Sequence, residues 1–115
     1  MRDSFIEKLF EFTQLDERVM LLTGDLGFGV LDNYAKNFPK NYLNCGVAEQ
    51  NMASIATGLA LQGKIPFTYS IGNFPTLRCL EQIRNDIAYH DLPVKTVCIG
   101  GGFSYGQLGL SLIHI

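Results

Sequence analysis

Residues 43–63 read LNCGVAEQNMASIATGLALQG, and they specify most of the architecture of this chain. The pattern predicts a strand end, a sharp turn at Gly46 and a long helix that stops at Gly63, since glycine permits the backbone conformations such turns need. Two apolar stripes recur at helical spacing: Ala48, Met52, Ile55 and Leu59, and beside them Ala53, Ala56 and Ala60. We therefore expect one face of this helix to pack closely against another element.

Glu49 is the one carboxylate in this nearly uncharged stretch, in the first turn of the predicted helix. The helix dipole favours an acidic residue there by about 0.3–1 kcal/mol, which is the purely structural interpretation. The small side chains around it would leave the carboxylate poorly solvated and open to close approach. Such a carboxylate suits a group that shares a proton with a ligand nitrogen, so Glu49 is also a candidate catalytic residue.

Helix and strand patterns alternate along the rest of the chain. A first helix capped by Asp3 or Ser4 is followed by a buried strand, and a helix opened by Pro75 precedes the last strand. The predicted strands are residues 19–22, a strand from 42, 65–71 and 94–99, and the other helices are 32–37 and 77–89. The alternation predicts an α/β fold: a three-layer sandwich with a mostly parallel sheet and helices on both faces.

Composition limits the function. The chain has 115 residues, 47% of them hydrophobic, which suits one compact domain with a packed core. Its formal net charge is −2 and its Lys and Arg residues form no cluster, which argues against nucleic acid as a partner. No apolar run has transmembrane length and the start lacks a signal-peptide core, so we expect a cytoplasmic protein without a membrane partner.

Cysteine and histidine usage predicts no metal site. Cys45, Cys79 and Cys98 are widely spaced and form no C-x-x-C pair, so we expect reduced and mostly buried thiols. His90 and His114 stand alone and give neither a metal cluster nor a nucleophile–histidine arrangement.

A glycine-rich loop, TGDLGFG at residues 23–29, follows the first predicted strand. Ligands of open α/β sheets bind at the carboxyl ends of strands. The loop lacks the glycine order of a phosphate-binding motif, and Asp25 would repel phosphate. Asp25 is better suited to a cation, although a turn aspartate bonded to its own backbone is the structural alternative.

Four motifs in order resemble the pyrimidine-binding domain of the transketolase family of thiamine-diphosphate enzymes. They are TGDLGFG at 23–29, NCGVAEQNMASIATGLALQGKIPF at 44–67, SIGNFPTLRCLEQIRNDIAY at 70–89 and GGGFSYGQLG at 100–109. The second matches the family's G-[IV]-x-E-[HQ] element. The likeness is greatest to the small, C-terminal subunit of split transketolase-like enzymes, and it implies the thiamine-diphosphate-binding fold.

The resemblance implies roles for four residues. Glu49 would be the catalytic glutamate that hydrogen-bonds the aminopyrimidine ring of the cofactor. Asp25 would lie near the cationic thiazolium, and Phe74 would stack on the aminopyrimidine, with an ordinary core aromatic as the alternative. Ile71 would line the same pocket in place of a second aromatic residue.

The resemblance also implies a divided active site. The cofactor would be thiamine diphosphate, with Mg²⁺ held by the diphosphate-binding domain of a partner, because this chain lacks the G-D-G…N motif. That partner would be the large N-terminal transketolase subunit in a homo- or heterodimer, and this chain alone would be inactive. The reaction would be ketol transfer between sugar or sugar-phosphate substrates. Gln107 and Leu108 replace an acidic pair that reads sugar hydroxyls, so the donor sugar is left open.

Two other functions remain open from sequence. The first is a decarboxylating relative, of the deoxyxylulose-phosphate synthase type or the β subunit of a 2-oxo acid dehydrogenase. The second is a non-catalytic α/β domain that binds a partner protein.

The domain is expected to span residues 1–109 and to be incomplete at its C-terminus. Residues 110–115, LSLIHI, do not continue a polar glycine loop. We expect them to be a non-native tail, translated from a transposon end sequence, and His114 is excluded from the site for that reason.

Overall fold

The computed structural model describes residues 2–103 and 105–108. Within these residues four strands alternate with helices. The strands are β1 (Val19–Thr23), β2 (Tyr42–Asn44), β3 (Ile65–Ile71) and β4 (Lys95–Ile99). The α-helices are α1 (Arg2–Leu15), α2 (Asp32–Asn37), α3 (Glu49–Leu61) and α4 (Leu80–Gln82). Short 3₁₀ turns cover Leu77–Cys79 and Gly106–Leu108, and a π-helical segment covers Ile83–Ala88.

The sheet is parallel throughout, in the order β2-β1-β3-β4. Strand β1 lies between two neighbours, so that Thr23 pairs with Asn44 on one side and with Tyr69 on the other. All five residues of β1 are buried, as expected for a parallel strand covered on both faces. The predicted α/β class and parallel sheet are confirmed.

Helices cover both faces of the sheet. Val19 and Leu21 of β1 point to one face, where they join a core cluster with residues of α1 and α2. Met20 and Leu22 alternate to the other face and pack on Met52 and Ala56 of α3. The predicted three-layer arrangement is therefore confirmed, with α3 on its own face together with the 77–88 segment that packs against it.

Helix α3 begins and ends as its sequence predicts. Gly46, in the turn before it, has φ +72°, and Gly63, just after it, has φ +82°. The Lys64 amide donates to the Leu59 carbonyl at 3.0 Å, which closes the last turn around Gly63. Both glycines therefore hold a backbone conformation that a side chain would strain.

Two predicted details of the helices are wrong. Asp3 and Ser4 lie inside the first turn of α1 rather than capping it. Pro75 does not open a regular helix, because residues 72–76 form turns and the 77–88 segment changes from 3₁₀ to α to π geometry. The π geometry continues into a bond from the Tyr89 amide to the Arg84 carbonyl, at 3.1 Å and five residues apart. Nothing in the local sequence explains this widening.

The topology distinguishes one edge of the sheet as the place where a ligand site is expected. After β1 the chain turns to the α2 face, and after the adjacent β3 it turns to the α3 face. The carboxyl ends of β1 and β3 thus form a switch point, where ligands of open α/β sheets bind. The predicted domain end at residue 109, the tail 110–115 and His114 lie outside the described residues. Among those described, no helix is both long and apolar enough to cross a membrane.

Candidate functional site

The Glu49 carboxylate lies buried at the switch point. Glu49 is the first residue of α3 and only 2% exposed. The Ser70 hydroxyl, near the end of β3, donates to its Oε1 atom at 3.4 Å. Gly24, directly after β1, faces the same oxygen, because a Cβ built there would lie 3.3 Å from it. The ends of two strands and one helix therefore converge on this carboxylate.

Arg78 pairs with the buried carboxylate. Its Nη1 atom donates to Glu49 Oε2 at 3.0 Å, and the arginine side chain is 46% exposed. A carboxylate removed from water is costly unless it is paired and hydrogen-bonded. Arg78 supplies that pairing from the solvent side of the site.

The same guanidinium lies on the ring of Phe74. The Arg78 Cζ atom is 4.2 Å from the centre of that ring, a cation–π distance. Phe74 is half-buried, and the arginine covers its ring. Arg78 thus joins the carboxylate of Glu49 to the aromatic ring of Phe74.

The backbone of the 72–79 turn is fixed by its own side chains. The Thr76 hydroxyl donates to the Gly72 carbonyl at 3.1 Å, and the Cys79 thiol donates to the Phe74 carbonyl at 3.2 Å. From α3, the Gln50 amide donates to the Arg78 carbonyl at 3.1 Å. These contacts hold Phe74 and Arg78 beside the start of α3.

The cysteines differ in exposure and are all free thiols. Cys79 is buried, Cys45 is partly buried and Cys98 is exposed, so the expectation of mostly buried thiols is wrong for Cys98. Burial, and next the negative charge of Glu49, raise the pKa of the Cys79 thiol to about 11. Cys79 is therefore a neutral packing residue at ordinary pH.

Asp25 lies in the loop after β1 and is exposed to solvent. Its φ of 59° is left-handed, which is uncommon for a residue with a side chain. Asn44, at the end of β2, donates to Asp25 Oδ1 at 2.8 Å and accepts the Gly46 amide at 2.9 Å. Asn44 thereby ties the Asp25 loop to the turn that precedes α3.

The structure brings together some of the predicted residues. Glu49 and Phe74 share the Arg78 guanidinium, and Asp25 follows Gly24, which faces Glu49. Ile71 ends β3, and strand alternation directs it away from the face on which Ser70 contacts Glu49. Ile71 is thus not brought to the carboxylate.

Sequence reasoning missed Arg78, Ser70, Gly24 and Asn44 as parts of the site. Arg78 gave a usable signal, since a buried acid in a nearly uncharged segment requires a cation, and Arg78 lies four residues after the candidate aromatic Phe74. No local pattern indicates Ser70 or Asn44, because their contacts join separate strands. Within the described ranges, no three His, Cys, Asp or Glu side chains are grouped to hold a metal ion.

Comparison with known proteins relates the whole chain to one family. Residues 1–111 match the sequence model of the family described as "Transketolase, pyrimidine binding domain". The chain is 38% identical over 109 residues to an apulose-4-phosphate transketolase subunit of Phocaeicola vulgatus, covering 94% of this chain and 35% of that protein. It is 42% identical over 112 residues to a putative transketolase C-terminal section of Methanocaldococcus jannaschii, covering 96% and 35%.

A solved structure has the same fold. It is described as a split gene transketolase, inactive beta4 tetramer, and it superimposes with a TM-score of 0.79 at 36% identity. The match covers 87% of this chain and 33% of the other. The chain therefore spans about a third of the length of these relatives.

Proposed function

This chain belongs to the transketolase family as its pyrimidine-binding domain, and on that premise we propose that it contributes the aminopyrimidine half of a thiamine-diphosphate site. The reaction we propose is ketol transfer between sugar or sugar-phosphate substrates. The observation that carries the proposal is the buried Glu49 carboxylate at the switch point. The flat guanidinium of Arg78 contacts both this carboxylate and the ring of Phe74.

The residues present fit the aminopyrimidine. The guanidinium of Arg78 shows that a flat group carrying N–H donors is accepted between the carboxylate and the aromatic ring. A protonated aminopyrimidine is also flat and carries N–H donors. Gly24 brings only backbone to the Glu49 Oε1 side, where the other neighbour is the Ser70 hydroxyl, so Oε2 is the oxygen that meets the flat cation.

Each chain residue has a defined task in the proposed site. Glu49 would hold a proton between its carboxylate and the ring nitrogen of the cofactor. Phe74 would stack on the ring. Asp25 would offer a negative charge to the cationic thiazolium. Bound thiamine diphosphate supplies the nucleophilic carbon and the electron sink for carbon–carbon bond cleavage.

A partner subunit would hold the diphosphate and Mg²⁺. In support, the described residues offer no acidic cluster for the ion. The chain also matches about a third of two relatives, one named as a transketolase subunit and the other as a C-terminal section. We propose that the partner is the large, N-terminal subunit carrying the diphosphate-binding domain, and that this chain alone does not catalyse ketol transfer.

Reconstitution tests the proposal. The chain is mixed with a large transketolase subunit, Mg²⁺ and thiamine diphosphate, and ketol transfer is followed with Glu49→Gln and Glu81→Gln variants. Glu81 is an exposed glutamate of α4, so its substitution makes the same chemical change away from the site. We expect Glu49→Gln to lower turnover by about 10²-fold or more, the scale of a proton-transfer group, and Glu81→Gln to leave it unchanged.

Three outcomes would contradict the proposal. Undiminished turnover of the Glu49→Gln complex would remove this carboxylate from the mechanism. Pyruvate consumption without ketol transfer would indicate a decarboxylating relative. Absence of any thermal shift with thiamine diphosphate in the presence of the partner would favour a non-catalytic binding domain.

A further inference from the structure

We infer that Arg78 occupies the place of the aminopyrimidine ring and must withdraw before the cofactor binds. The inference rests on the proposed function and adds to it a residue that controls access to the site. The Arg78 guanidinium makes two contacts at once, with the carboxylate of Glu49 at 3.0 Å and with the ring of Phe74 at 4.2 Å. These are the two contacts proposed for the aminopyrimidine.

The chemistry of the two groups is alike. A guanidinium is a flat N–C–N system with N–H donors in its plane and a face that stacks on aromatic rings. A protonated aminopyrimidine likewise presents an in-plane N–H to a carboxylate and a flat face to an aromatic ring. The two groups cannot occupy the same face of Phe74 and the same space beside Glu49 Oε2 at once, so they compete.

Burial of Glu49 explains why a stand-in is needed. The carboxylate is 2% exposed, and a buried charge without a partner destabilises the fold. A ligand that pairs with Glu49 would remove this destabilisation. When no such ligand is bound, the guanidinium of Arg78 provides the pairing.

The Arg78 side chain can move into solvent without disturbing the turn at residues 72–79. Its side chain is 46% exposed, whereas its backbone carbonyl is held by Gln50 and the neighbouring thiol of Cys79 is bonded to Phe74. The guanidinium can therefore rotate into solvent while the 72–79 backbone stays in place. The ligand can bind only those molecules in which the guanidinium has moved away. Its apparent affinity is therefore reduced in proportion to the fraction of such molecules.

A positioning role for Arg78 predicts the opposite change in affinity. If Arg78 instead held Glu49 in position for the cofactor, removing the guanidinium would weaken binding. The sign of the change in affinity therefore separates a competitor from a positioning residue.

The test uses the hydroxymethylpyrimidine fragment of thiamine, which needs only this half of the site. Its dissociation constant is measured by NMR titration of the 115-residue chain as wild type, Arg78→Ala, Arg78→Lys and Arg84→Ala. Arg84 is an exposed arginine on the same helical segment and serves as the matched control. We expect Arg78→Ala to bind the fragment roughly tenfold more tightly than wild type, which is the gain if Arg78 occupies the fragment's place in nine-tenths of the molecules. Arg84→Ala should bind the fragment as wild type does.

A second measurement tests the competition directly, whatever the absolute affinity of the fragment. Methylguanidinium added to Arg78→Ala should refill the place and raise the apparent dissociation constant of the fragment, with no such effect in wild type. Arg78→Lys, which keeps a cation but loses the flat fork, should bind between wild type and Arg78→Ala, and it replaces Arg78→Ala if the latter does not fold.

The outcomes separate the two proposals. Equal or weaker binding by Arg78→Ala and Arg78→Lys would overturn the role of Arg78 and leave the proposed function standing. Absence of binding in every folded variant, repeated with thiamine diphosphate and the partner subunit, would overturn the proposed function and this inference with it.

Discussion

Gly24 and Glu49 are packed so closely that a single methyl group between them would touch the carboxylate. A Cβ on Gly24 would lie 3.3 Å from Glu49 Oε1 and 3.5 Å from its Cγ. The glycine at the end of β1 therefore sets where the carboxylate of α3 can lie. This contact joins two elements that are separated in the chain by α2 and β2.

Gly24→Ala should damage the site more than the fold. The φ angle of Gly24 is not among the positive ones, so alanine adopts this backbone, and its methyl group displaces the carboxylate by a few tenths of an ångström. We expect a change in the free energy of unfolding within about 1 kcal/mol, and turnover of the reconstituted complex reduced about tenfold.

Gly58→Ala is the matched control for that substitution. Gly58 lies within α3 and a Cβ there meets nothing within 4 Å. Alanine should raise the free energy of unfolding by about 0.5–1 kcal/mol, because mid-helix glycine costs chain entropy. Denaturant titration measures both variants, and equal turnover losses in the two would argue that Gly24 has no special relation to Glu49.

Asn44→Ala should release the Asp25 loop. The variant loses the bond to Asp25 Oδ1 and the bond from the Gly46 amide, both solvent-accessible. We expect the free energy of unfolding to fall by about 0.5–1.5 kcal/mol and thiamine diphosphate to bind more weakly in the reconstituted complex. Asn37→Ala removes an exposed asparagine bonded within α2 and should leave cofactor affinity unaltered. An identical affinity for wild type and Asn44→Ala would separate Asp25 from cofactor binding.

The hydroxyl pair of Thr13 and Tyr34 fastens α1 to α2 beneath the sheet. Thr13 Oγ1 donates its one proton to the Leu9 carbonyl at 2.8 Å, so the Tyr34 hydroxyl, 2.7 Å away, donates to Thr13. Tyr34→Phe removes one bond and should cost about 0.5–1.5 kcal/mol in the free energy of unfolding. Thr13→Val leaves the fully buried Tyr34 hydroxyl without its acceptor and should cost more, about 1–3 kcal/mol.

The double variant decides whether that pair acts as a unit. Thr13→Val combined with Tyr34→Phe should be less destabilising than the sum of the two single variants, because neither partner is then left unsatisfied. Chemical denaturation of the four proteins gives the coupling energy. Strict additivity would show that the two hydroxyls act independently.

Alkaline pH should destabilise the fold through Cys79. Burial raises the pKa of this thiol from 9.0 to about 11, so the folded state favours the neutral form. Its contribution to stability is fully present below the unfolded pKa and is lost as pH rises through the window from 9.0 to about 11. Cys79→Ala should flatten part of the decline in unfolding free energy across that window.

Cys98→Ala is the control, because Cys98 is an exposed thiol of the edge strand β4. The Cys98→Ala variant should retain most of the wild-type fall in unfolding free energy at alkaline pH. Thiol labelling at neutral pH should modify Cys98 well before Cys79, since the Cys98 thiol is exposed and the Cys79 thiol is shielded from the reagent. Faster labelling of Cys79 would contradict its placement in the core.

The sequence predicted the elements whose patterns are local. Strand β3 was predicted with its observed bounds, and the stop of α3 at Gly63 followed from one residue type. The 77–88 segment was predicted as one regular helix, because apolar spacing does not distinguish 3.6 residues per turn from a segment that widens.

The candidate site divides in the same way. Glu49 was predicted from its own neighbourhood, and its burial is confirmed. Arg78, Ser70 and Gly24 contact it from other elements, and the distances between those elements depend on sheet order, which a single sequence does not specify. Ile71 was predicted from motif alignment alone, whereas strand alternation directs it to the other face.

The position of β1 between β2 and β3 also governs the order in which the molecule can assemble. Residues 19–23 leave the ribosome long before residue 65, so this strand waits with one side uncovered while the forty-one residues from 24 to 64 are synthesised. Its three-residue contact with β2 is the sole pairing open to it in that interval among the described strands. The second side of β1 is therefore covered only when β3 docks, and the same step brings Ser70 to the carboxylate of Glu49.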